Sequence, residues 1–465
     1  MTFQTQKLPV LFHIHGGGYE LGSATMLGYK GIVNNYAARD VIMVSIQYRL
    51  AFLGFFSDGT KDIPGNIGML DQVQALKFVR EVIGDFGGDV DQITVIGLSA
   101  GGGSTSHFTL SPYTYNLFNK AITMSGSAFA NWATGLRIRE FSFQLANQLG
   151  CYGPQPKECL KTKTISEFWD AIDILRPTSG DVDILKFAPT IDGEFLPAHP
   201  SILIEQAPKI PTLQGGASSE GSFFTTLGLL PSLTGFSIAG KTDEVNKTYL
   251  LNTIDEKIVL PGRYQIYENY VNRKLKEFFL TPNENTTYSG NELYLQKYVQ
   301  LFSNIQFNLP YIREITRKSL LGTQVYAYRF DHFNEELFPS SIPEVDHANE
   351  YHYMFDVPFI AAFNWTAEDY AVQKSLNDAI VSFAKTGRPT VDGVQWDPVD
   401  LSNGKINYLA FNATCTYEQD GFFEPETKFF AFLKEYGLDP IDPTQALNPA
   451  IQLNNSFNLL QPYQA

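Results

Sequence analysis

Ser99 lies in the pentapeptide G-L-S-A-G at residues 97–101, which fits the pattern G-x-S-x-G. In this pattern a tight turn between a strand and a helix exposes a serine hydroxyl, which can then act as a nucleophile. The apolar run at residues 93–96 supplies the upstream strand, and the glycines avoid the collision that a Cβ would cause in so tight a turn. The pattern predicts a nucleophilic serine, although five residues alone would fit an ordinary glycine turn equally well.

A second glycine pattern precedes this serine. Residues 9–15 form an apolar run typical of a strand, and Gly16, Gly17 and Gly18 follow it directly. A triple glycine after a strand lets the backbone pass close to a ligand, as in the H-G-G-G loop that supplies oxyanion donors in lipases and esterases. A flexible loop without a function is the alternative. The presence of both patterns in this order favours a site that stabilises a developing negative charge on oxygen.

An activated serine needs a base, and the base needs a third group that fixes its tautomer. In sheets with this type of turn the order along the chain is serine, acid, histidine. After residue 220 the histidines are His332, His347 and His352. His332 directly follows a predicted strand ending at Phe330, and His352 lies in an aromatic run that favours a structural role. His347, in a loop beyond that strand, is the preferred base.

The acid is less sharply defined by position. Glu220 follows a strand predicted at residues 211–215, while Asp192 lies earlier, in a turn. Position alone places Glu220 ahead of Asp192 without deciding between them. Phe223 and Phe224, next to Glu220, could shape an apolar pocket or simply pack in the core, and both interpretations stay open.

The elements that must position these residues alternate between strand and helix. This rhythm predicts right-handed crossovers and a mostly parallel central sheet flanked by helices, the α/β class. Without repeats or linker-like segments, one domain spanning residues 1–465 is the simplest organisation. The predicted strands are residues 9–15, 41–48, 93–96, 120–125, 211–215, 324–330 and 406–411. The predicted helices are residues 70–83, 263–279, 290–302, 306–320 and 366–386.

Charge excludes some classes of partner. The net charge of −15 and the pI of about 4.9 argue against nucleic acid and anionic membrane surfaces, since both favour basic patches. No stretch approaches the roughly 18 apolar residues of a membrane-spanning helix. The first residues contain no apolar segment typical of a signal peptide.

The cysteines and the N-glycosylation patterns give information on whether the protein is secreted. Of the three cysteines, Cys151 and Cys159 are close enough in sequence to pair, leaving Cys415, although three reduced thiols fit the spacing equally well. Five matches to the N-glycosylation pattern hint at secretion. They begin at Asn246, Asn285, Asn364, Asn412 and Asn454.

These motifs resemble those of the type-B carboxylesterases, the family of carboxylesterases and cholinesterases. The resemblance implies an α/β-hydrolase fold with Ser99 as nucleophile, Glu220 as acid and His347 as base. The stretches that carry it are residues 9–23, 66–72, 86–89, 97–102, 125–127, 220–224 and 347–350.

The resemblance also implies the remaining parts of a site. It assigns the oxyanion donors to the backbone N–H groups of Gly17, Gly18 and Ala100, and it implies a disulfide between Cys151 and Cys159 in a secreted protein. The expected activity is hydrolysis of small-molecule carboxylic esters through an acyl-enzyme, with no metal or cofactor.

Several features depart from the family pattern. Leu98 stands where the family usually has glutamate, Ser219 where it has aspartate, and Gln47 where it has asparagine. The side chain at position 98 is not catalytic in the family, so the chemistry is expected to survive this replacement. The sequence also begins shortly before the glycine loop, whereas the family normally has a leading segment there. We therefore expect an N-terminally short domain, and acetylcholine is disfavoured because its cationic group binds in that leading segment.

Two alternatives to an active esterase are a non-catalytic, neuroligin-like adhesion relative and an inactive truncated form. The presence of Ser99, Glu220 and His347 argues against the first, and a cooperative thermal transition would argue against the second. Xenobiotic, lipid-derived, hormone and pheromone esters all remain open as substrates.

Overall fold

The computed structural model describes residues 6–435 apart from short gaps. Three predicted features, Asn285, Cys415 and Asn454, lie outside the described residues. The gaps are residues 154–155, 176–183, 229–234, 260–263, 282–286, 338–344, 360, 393 and 415–418.

The centre of the described chain is one mostly parallel sheet. The strands are β1 (Leu8–Ile14), β2 (Ile42–Ser45), β3 (Gly88–Leu98), β4 (Lys120–Met124), β5 (Thr212–Ala217), β6 (Val325–Phe330), β7 (Thr390–Val391), β8 (Val394–Gln395), β9 (Asn407–Phe411) and β10 (Gln419–Asp420). Eight of them form the sheet in the order β10-β9-β6-β5-β4-β3-β1-β2, with β7 and β8 pairing separately. Every neighbouring pair in the sheet is parallel except β9 and β10. The predicted α/β class is therefore confirmed.

The seven predicted strands correspond to β1 to β6 and β9. The strand β3 is longer than its predicted core of residues 93–96, because its first part includes the exposed Asp91 and does not read as an apolar run. The interpretation of residues 406–411 as the last strand was wrong, since the short strand β10 follows and pairs antiparallel with β9.

Helices flank the sheet. Those predicted near residues 70–83, 263–279 and 366–386 correspond to α3, α10 and α14. The helices are α1 (Lys30–Asn35), α2 (Ala51–Phe55), α3 (Ile67–Val82), α4 (Ala100–Leu110), α5 (Ile138–Gln148), α6 (Lys157–Leu160), α7 (Ile165–Leu175), α8 (Pro200–Leu203), α9 (Lys247–Thr253), α10 (Glu268–Leu280), α11 (Gly290–Ser303), α12 (Leu309–Leu320), α13 (Glu350–Phe355), α14 (Ala367–Thr386) and α15 (Glu424–Glu435).

The predicted break between residues 302 and 306 was wrong. A π turn at Asn304–Asn308 joins α11 to α12, and Asn304 and Leu309 both keep right-handed helical backbone angles. The chain therefore runs from Gly290 to Leu320 as one helical stretch with a wider turn in its middle.

Two apolar layers cover the two faces of the sheet, as the alternation of side chains along a strand requires. In β1, Val10 and Phe12 pack into one core cluster with Leu76 of α3. Leu11, between them, points to the other cluster, which contains Ile380 of α14. The sheet is therefore buried on both faces, as is usual for parallel strands.

The parallel arrangement brings the carboxyl ends of β1, β3, β5 and β6 to one edge of the sheet. The glycine loop follows β1, Ser99 follows β3, and Glu220 lies just beyond β5. His347 lies in the connection that follows β6. The topology thus gathers residues that are far apart in sequence at a single edge.

Candidate active site

Ser99 occupies a strained turn between β3 and α4. Its backbone angles are φ 59° and ψ −124°, a conformation that non-glycine residues adopt only where the surroundings enforce it. Two hydrogen bonds hold the turn: the N–H of Ser99 donates to the Met124 carbonyl at 2.9 Å, and the N–H of Gly103 donates to the Ser99 carbonyl at 2.8 Å.

The glycines of the turn are required by close backbone contacts. A Cβ on Gly97 would lie 2.3 Å from the Gly101 carbonyl, and a Cβ on Gly101 would lie 2.0 Å from the Ile14 carbonyl oxygen. Real Cβ atoms do not approach other heavy atoms this closely. The pattern G-x-S-x-G therefore lets α4 pack directly against the end of β1, with Ser99 at the junction.

His347 and Glu220 are joined by a buried hydrogen bond. The Nδ1 atom of His347 lies 2.6 Å from Oε2 of Glu220, and both side chains are almost fully buried. The other carboxylate oxygen, Oε1, accepts from the N–H of Ala217 at 2.9 Å. The carboxylate is thus fixed on both sides, and it holds the imidazole in the tautomer that carries its proton on Nδ1.

The other nitrogen of His347, Nε2, is buried and has no hydrogen-bond partner among the described residues. His347 and Ser99 line the same cavity. The imidazole ring packs against three aromatic rings, with centroid distances of 5.7 Å to Phe223, 5.1 Å to Phe224 and 4.8 Å to Phe307. An unpartnered Nε2 is compatible with proton transfer, since hydrogen bonds to a nucleophile often tighten only when substrate is bound.

The glycine loop forms another part of the cavity wall. Gly17 and Gly18 both line the cavity, with φ values of 116° and 60°. Ala100 is fully buried and is not one of the lining residues. It is the first residue of α4, however, so its N–H has no carbonyl partner within the helix.

Sequence reasoning missed the contribution of His15, which comes immediately before this loop. Its Nδ1 lies 2.8 Å from the Gly16 carbonyl oxygen, and its ring stacks on Tyr48 with centroids 4.6 Å apart. Burial lowers the pKa of His15. Its position next to the triple glycine was the only signal available in the sequence.

The alternative candidates for the base and the acid, His332, His352 and Asp192, form hydrogen bonds with other groups. His332 bonds to Asp369 at 2.8 Å, and His352 is buried with its Nδ1 3.0 Å from the Val357 carbonyl oxygen. The Asp192 carboxylate accepts from the backbone N–H groups of a local turn. The structure therefore brings His347 together with Glu220, the pair that the resemblance implied.

The cavity has a volume of about 160 Å³. Phe223 and Phe224 line the cavity and are also largely buried, so the pair both forms part of the cavity wall and packs in the core. Among the described residues that line the cavity there is no Asp, Glu, Lys or Arg. Its other apolar walls include Leu21, Leu27, Leu98, Trp132, Ile184 and Leu185.

Two further buried carboxyl groups, Asp346 and Glu350, lie near Glu220. Burial, followed by the charge of Glu220, raises the pKa of Glu350 to about 8. Burial and the charge of Glu220 likewise raise the pKa of Asp346 well above its usual range. Burial therefore favours the protonated form of both groups, close to the carboxylate that contacts His347.

Outside the cavity, Cys151 and Cys159 form the expected disulfide. Asn246 and Asn364 are exposed and Asn412 is partly exposed, so these three glycosylation patterns stay predictions. Within the described residues, no group of three potential metal ligands occurs, and no helix is long and apolar enough to cross a membrane.

Comparison with known proteins identifies the family. The sequence profile of the carboxylesterase family matches residues 2–430. The chain belongs to the carboxylesterase family. As a member of this family, it is an ester-hydrolysing enzyme with an α/β-hydrolase fold.

The relatives of this carboxylesterase include two nematode proteins named gut esterase 1. The protein of Caenorhabditis briggsae is 43% identical over 445 residues, which cover 94% of this chain and 79% of that protein. The protein of Caenorhabditis elegans is 40% identical over 464 residues, covering 98% and 82%. A carboxylic ester hydrolase of Bombus ignitus is 31% identical, covering 86% and 71%. These names favour the enzyme over the non-catalytic adhesion relative.

Proposed function

We propose that this carboxylesterase hydrolyses small-molecule esters through a Ser99–His347–Glu220 triad and an acyl-enzyme intermediate. The observation that carries the proposal is the 2.6 Å contact between His347 and Glu220, beside a cavity that His347 shares with Ser99. This arrangement supplies a nucleophile, a base and a group that orients the base.

In the first half of the reaction, Nε2 of His347 accepts the hydroxyl proton of Ser99 as Oγ attacks the ester carbonyl carbon. The tetrahedral intermediate collapses when its bond to the leaving oxygen breaks. His347 then gives the proton to the leaving alcohol. Glu220 stays ionised and stabilises the imidazolium form of His347 throughout.

In the second half, a water molecule replaces the alcohol. His347 removes a proton from this water, whose oxygen attacks the acyl carbon. The bond between the acyl carbon and Oγ of Ser99 then breaks, and His347 returns the proton to Oγ, which releases the carboxylic acid and regenerates the enzyme. Each half of the reaction passes through a tetrahedral oxyanion, so the same hydrogen-bond donors can stabilise the negative charge in both halves.

The backbone N–H groups of Gly17, Gly18 and Ala100 are the proposed donors to this oxyanion. In comparable sites, loss of one donor costs roughly 2.7–4 kcal/mol. The bond from His15 to the Gly16 carbonyl would help to keep the loop in place without itself touching the substrate.

We further propose that the protein works outside the cytosol. The disulfide between Cys151 and Cys159 supports an oxidising compartment. The exposed sequons at Asn246 and Asn364 lie where a glycan could be attached. Treatment with an N-glycosidase should increase the gel mobility of the protein isolated from its own tissue, and unchanged mobility would argue against glycosylation.

The triad is tested by hydrolysis of p-nitrophenyl acetate and by labelling with an organophosphate. Wild-type protein should turn over the ester and take up one label per chain on Ser99. Ser99→Ala should do neither. Ser104→Ala is a matched control, because Ser104 is buried on α4, the helix that follows Ser99, and does not line the cavity. A folded wild-type protein with neither turnover nor label would refute the proposed mechanism.

A further inference from the structure

The hydroxyl of Tyr351 lies where the segments that carry the proposed site meet. Tyr351 is the second residue of α13, four positions after His347, and it lines the cavity although its side chain is almost fully buried. Its hydroxyl oxygen lies 3.2 Å from Nε2 of His13, a fully buried residue near the end of β1. The proposed mechanism gives neither side chain a chemical step.

Backbone groups of the glycine loop and of the Ser99 turn also reach this hydroxyl. Burial raises the pKa of Tyr351, whereas backbone hydrogen bonds from Gly16 and Leu98 lower it. A hydrogen bond lowers the pKa of a phenol when it favours the anionic oxygen, so these bonds are donated by backbone N–H groups. Gly16 opens the glycine loop, and Leu98 directly precedes Ser99. One phenol oxygen therefore accepts hydrogen bonds from both segments.

The glycine loop and the Ser99 turn are in close contact. A Cβ on Gly16 would lie 2.7 Å from the Leu98 carbonyl oxygen and 3.0 Å from Cβ of Ser99. The proposed oxyanion donors come from both sides of this contact, two from the glycine loop and one from the first residue of α4. Because such donors act only when they point at the place where the negative charge develops, the spacing between the two segments decides how well they stabilise it.

His13 orients the hydroxyl of Tyr351. Burial, followed by the charge of His15, lowers the pKa of His13 to about 3, so the His13 ring is neutral near pH 7. A neutral imidazole has one donor nitrogen and one acceptor nitrogen. Since the Tyr351 oxygen accepts from the backbone, its O–H donates to Nε2 of His13, and Nδ1 of His13 donates to Oγ of Ser45 at 2.9 Å. A chain of hydrogen bonds thus links the site to β2.

We propose that Tyr351 is a positioning residue for the oxyanion. Its hydroxyl, oriented by His13, holds the glycine loop and the Ser99 turn at the spacing that lets their N–H groups converge on one oxygen. This inference rests on the proposed function and assigns a role to two residues outside the triad. Loss of the hydroxyl leaves the triad side chains in place and loosens the donors, so it destabilises the transition state more than the bound ester.

The first test is the variant Tyr351→Phe of the full chain, which keeps the ring and removes one oxygen atom. With p-nitrophenyl acetate, kcat should fall by about tenfold to a hundredfold, the range that a small misplacement of reacting groups produces. KM should change by less than about threefold, because both halves of the reaction use the same donors.

Tyr353→Phe is the matched control. Tyr353 lies on the same helix, is fully buried, and donates its hydroxyl to Oδ1 of Asp369 at 2.8 Å. It is not one of the residues that line the cavity. The variant should lower the melting temperature and leave kcat unchanged. Equal falls of kcat in the Tyr351 and Tyr353 variants would show general damage and overturn the inference.

A pair of ketone inhibitors separates positioning from a loss of ground-state binding. With an aryl trifluoromethyl ketone, Oγ of Ser99 bonds to the carbonyl carbon, the hydroxyl proton passes to His347, and the carbonyl oxygen becomes an oxyanion. The corresponding methyl ketone serves as a ligand that stays uncharged. Tyr351→Phe should weaken binding of the trifluoromethyl ketone by about the factor by which kcat/KM falls, and binding of the methyl ketone by less than about threefold. Equal losses for the two ketones, or no loss for either, would overturn the inference.

A double-mutant cycle tests the part assigned to His13. His13→Phe keeps a ring beside Phe355, whose centroid lies 5.4 Å away, and removes the acceptor of the Tyr351 hydroxyl. It should lower kcat by less than Tyr351→Phe does. The double variant should lose no more than Tyr351→Phe alone, because both changes act through one hydrogen bond. It also replaces both partners by apolar rings, which keeps the fold intact. Losses that multiply would overturn the role of His13.

The wild type distinguishes failure of this inference from failure of the proposed function. A folded wild type that neither hydrolyses the ester nor binds the trifluoromethyl ketone would refute the proposed function. A wild type that does both, with Tyr351→Phe indistinguishable from it in kcat and in ketone binding, would contradict only the positioning role of Tyr351.

Discussion

Glu350 retains its proton in the presence of Glu220, because burial and then the charge of Glu220 raise the pKa of Glu350 to about 8. The hydroxyl of Tyr328 donates to Oε1 of Glu350 at 3.2 Å. Burial therefore favours the neutral form of Glu350, a second buried carboxyl group near the one that contacts His347.

Glu350→Gln should make protein stability less dependent on pH. Between about pH 4.5 and 8 the folded protein holds a proton on Glu350 that the unfolded chain has released, so the free energy of unfolding falls as pH rises. Glutamine removes this contribution, at most about 1.4 kcal/mol per pH unit. Urea unfolding at several pH values from 5 to 8.5 measures the slope. The control is Glu336→Gln, at an exposed carboxylate whose pKa is lowered, and it should leave the change of unfolding free energy with pH the same in this window. Equal slopes for the wild type and Glu350→Gln would contradict the raised pKa of Glu350.

Glu220→Gln should reduce kcat strongly and change KM little. The amide keeps the size of the side chain but cannot stabilise an imidazolium, and the corresponding change in a serine protease lowers kcat about 10⁴-fold. Steady-state kinetics with p-nitrophenyl acetate measure the loss. Asp192→Asn serves as the control, because its carboxylate only accepts backbone hydrogen bonds in a turn. A similar loss in both variants would point to general destabilisation.

Gly101→Ala should disrupt the turn at Ser99. Its Cβ would lie 2.0 Å from the Ile14 carbonyl oxygen, so the backbone would have to move. We expect a loss of at least about 2 kcal/mol in stability, near the usual range for overpacking, and little remaining activity. Gly84→Ala is the contrasting variant, since a Cβ there meets nothing within 4 Å. It should be neutral or stabilise the protein by up to about 1 kcal/mol, and equal effects of the two variants would refute the argument from close contact.

Glu314→Gln should destabilise the protein without touching the cavity. Glu314 is fully buried, pairs with Lys318 at 2.7 Å, and accepts from Ser106 and Ser127. Although burial alone would raise the pKa of Glu314, the charge of Lys318 and these hydrogen bonds hold it below its ordinary value. The variant leaves Lys318 buried without a counter-charge, which typically costs about 3–5 kcal/mol.

Thermal and urea unfolding measure this loss. Glu158→Gln, which breaks the exposed pair with Lys161, should leave stability nearly unchanged. A result in which the two variants behave alike would show that the Glu314 pair is well solvated or unimportant.

The parts of the site that depend on local turn chemistry could be predicted from the sequence. The turn around Ser99 and the glycine loop after β1 have short patterns, because their backbone geometry tolerates few residues. Glu220 and His347 needed the order of elements along the chain as well, since 127 positions separate them. Their roles stay predictions until the variants above are measured.

The parts that depend on distant packing could not be predicted. The π turn is held by Trp132, which lies far away in sequence, whereas the sequence predicted two separate helices at residues 290–302 and 306–320. Phe307 consequently gave no signal that it lines the cavity. Asp346 and Glu350 were missed because acidic residues normally lie at the surface, and only the folded arrangement buries them.

Because the residues of the site lie far apart along the chain, the enzyme becomes active only late in folding. Ser99, Glu220 and His347 follow β3, β5 and β6, so the carboxyl ends of all three strands must be aligned before the site exists. Non-local pairing of this kind makes folding slow. During refolding from denaturant, helical circular dichroism should therefore recover before esterase activity, and the appearance of turnover marks the completion of the sheet.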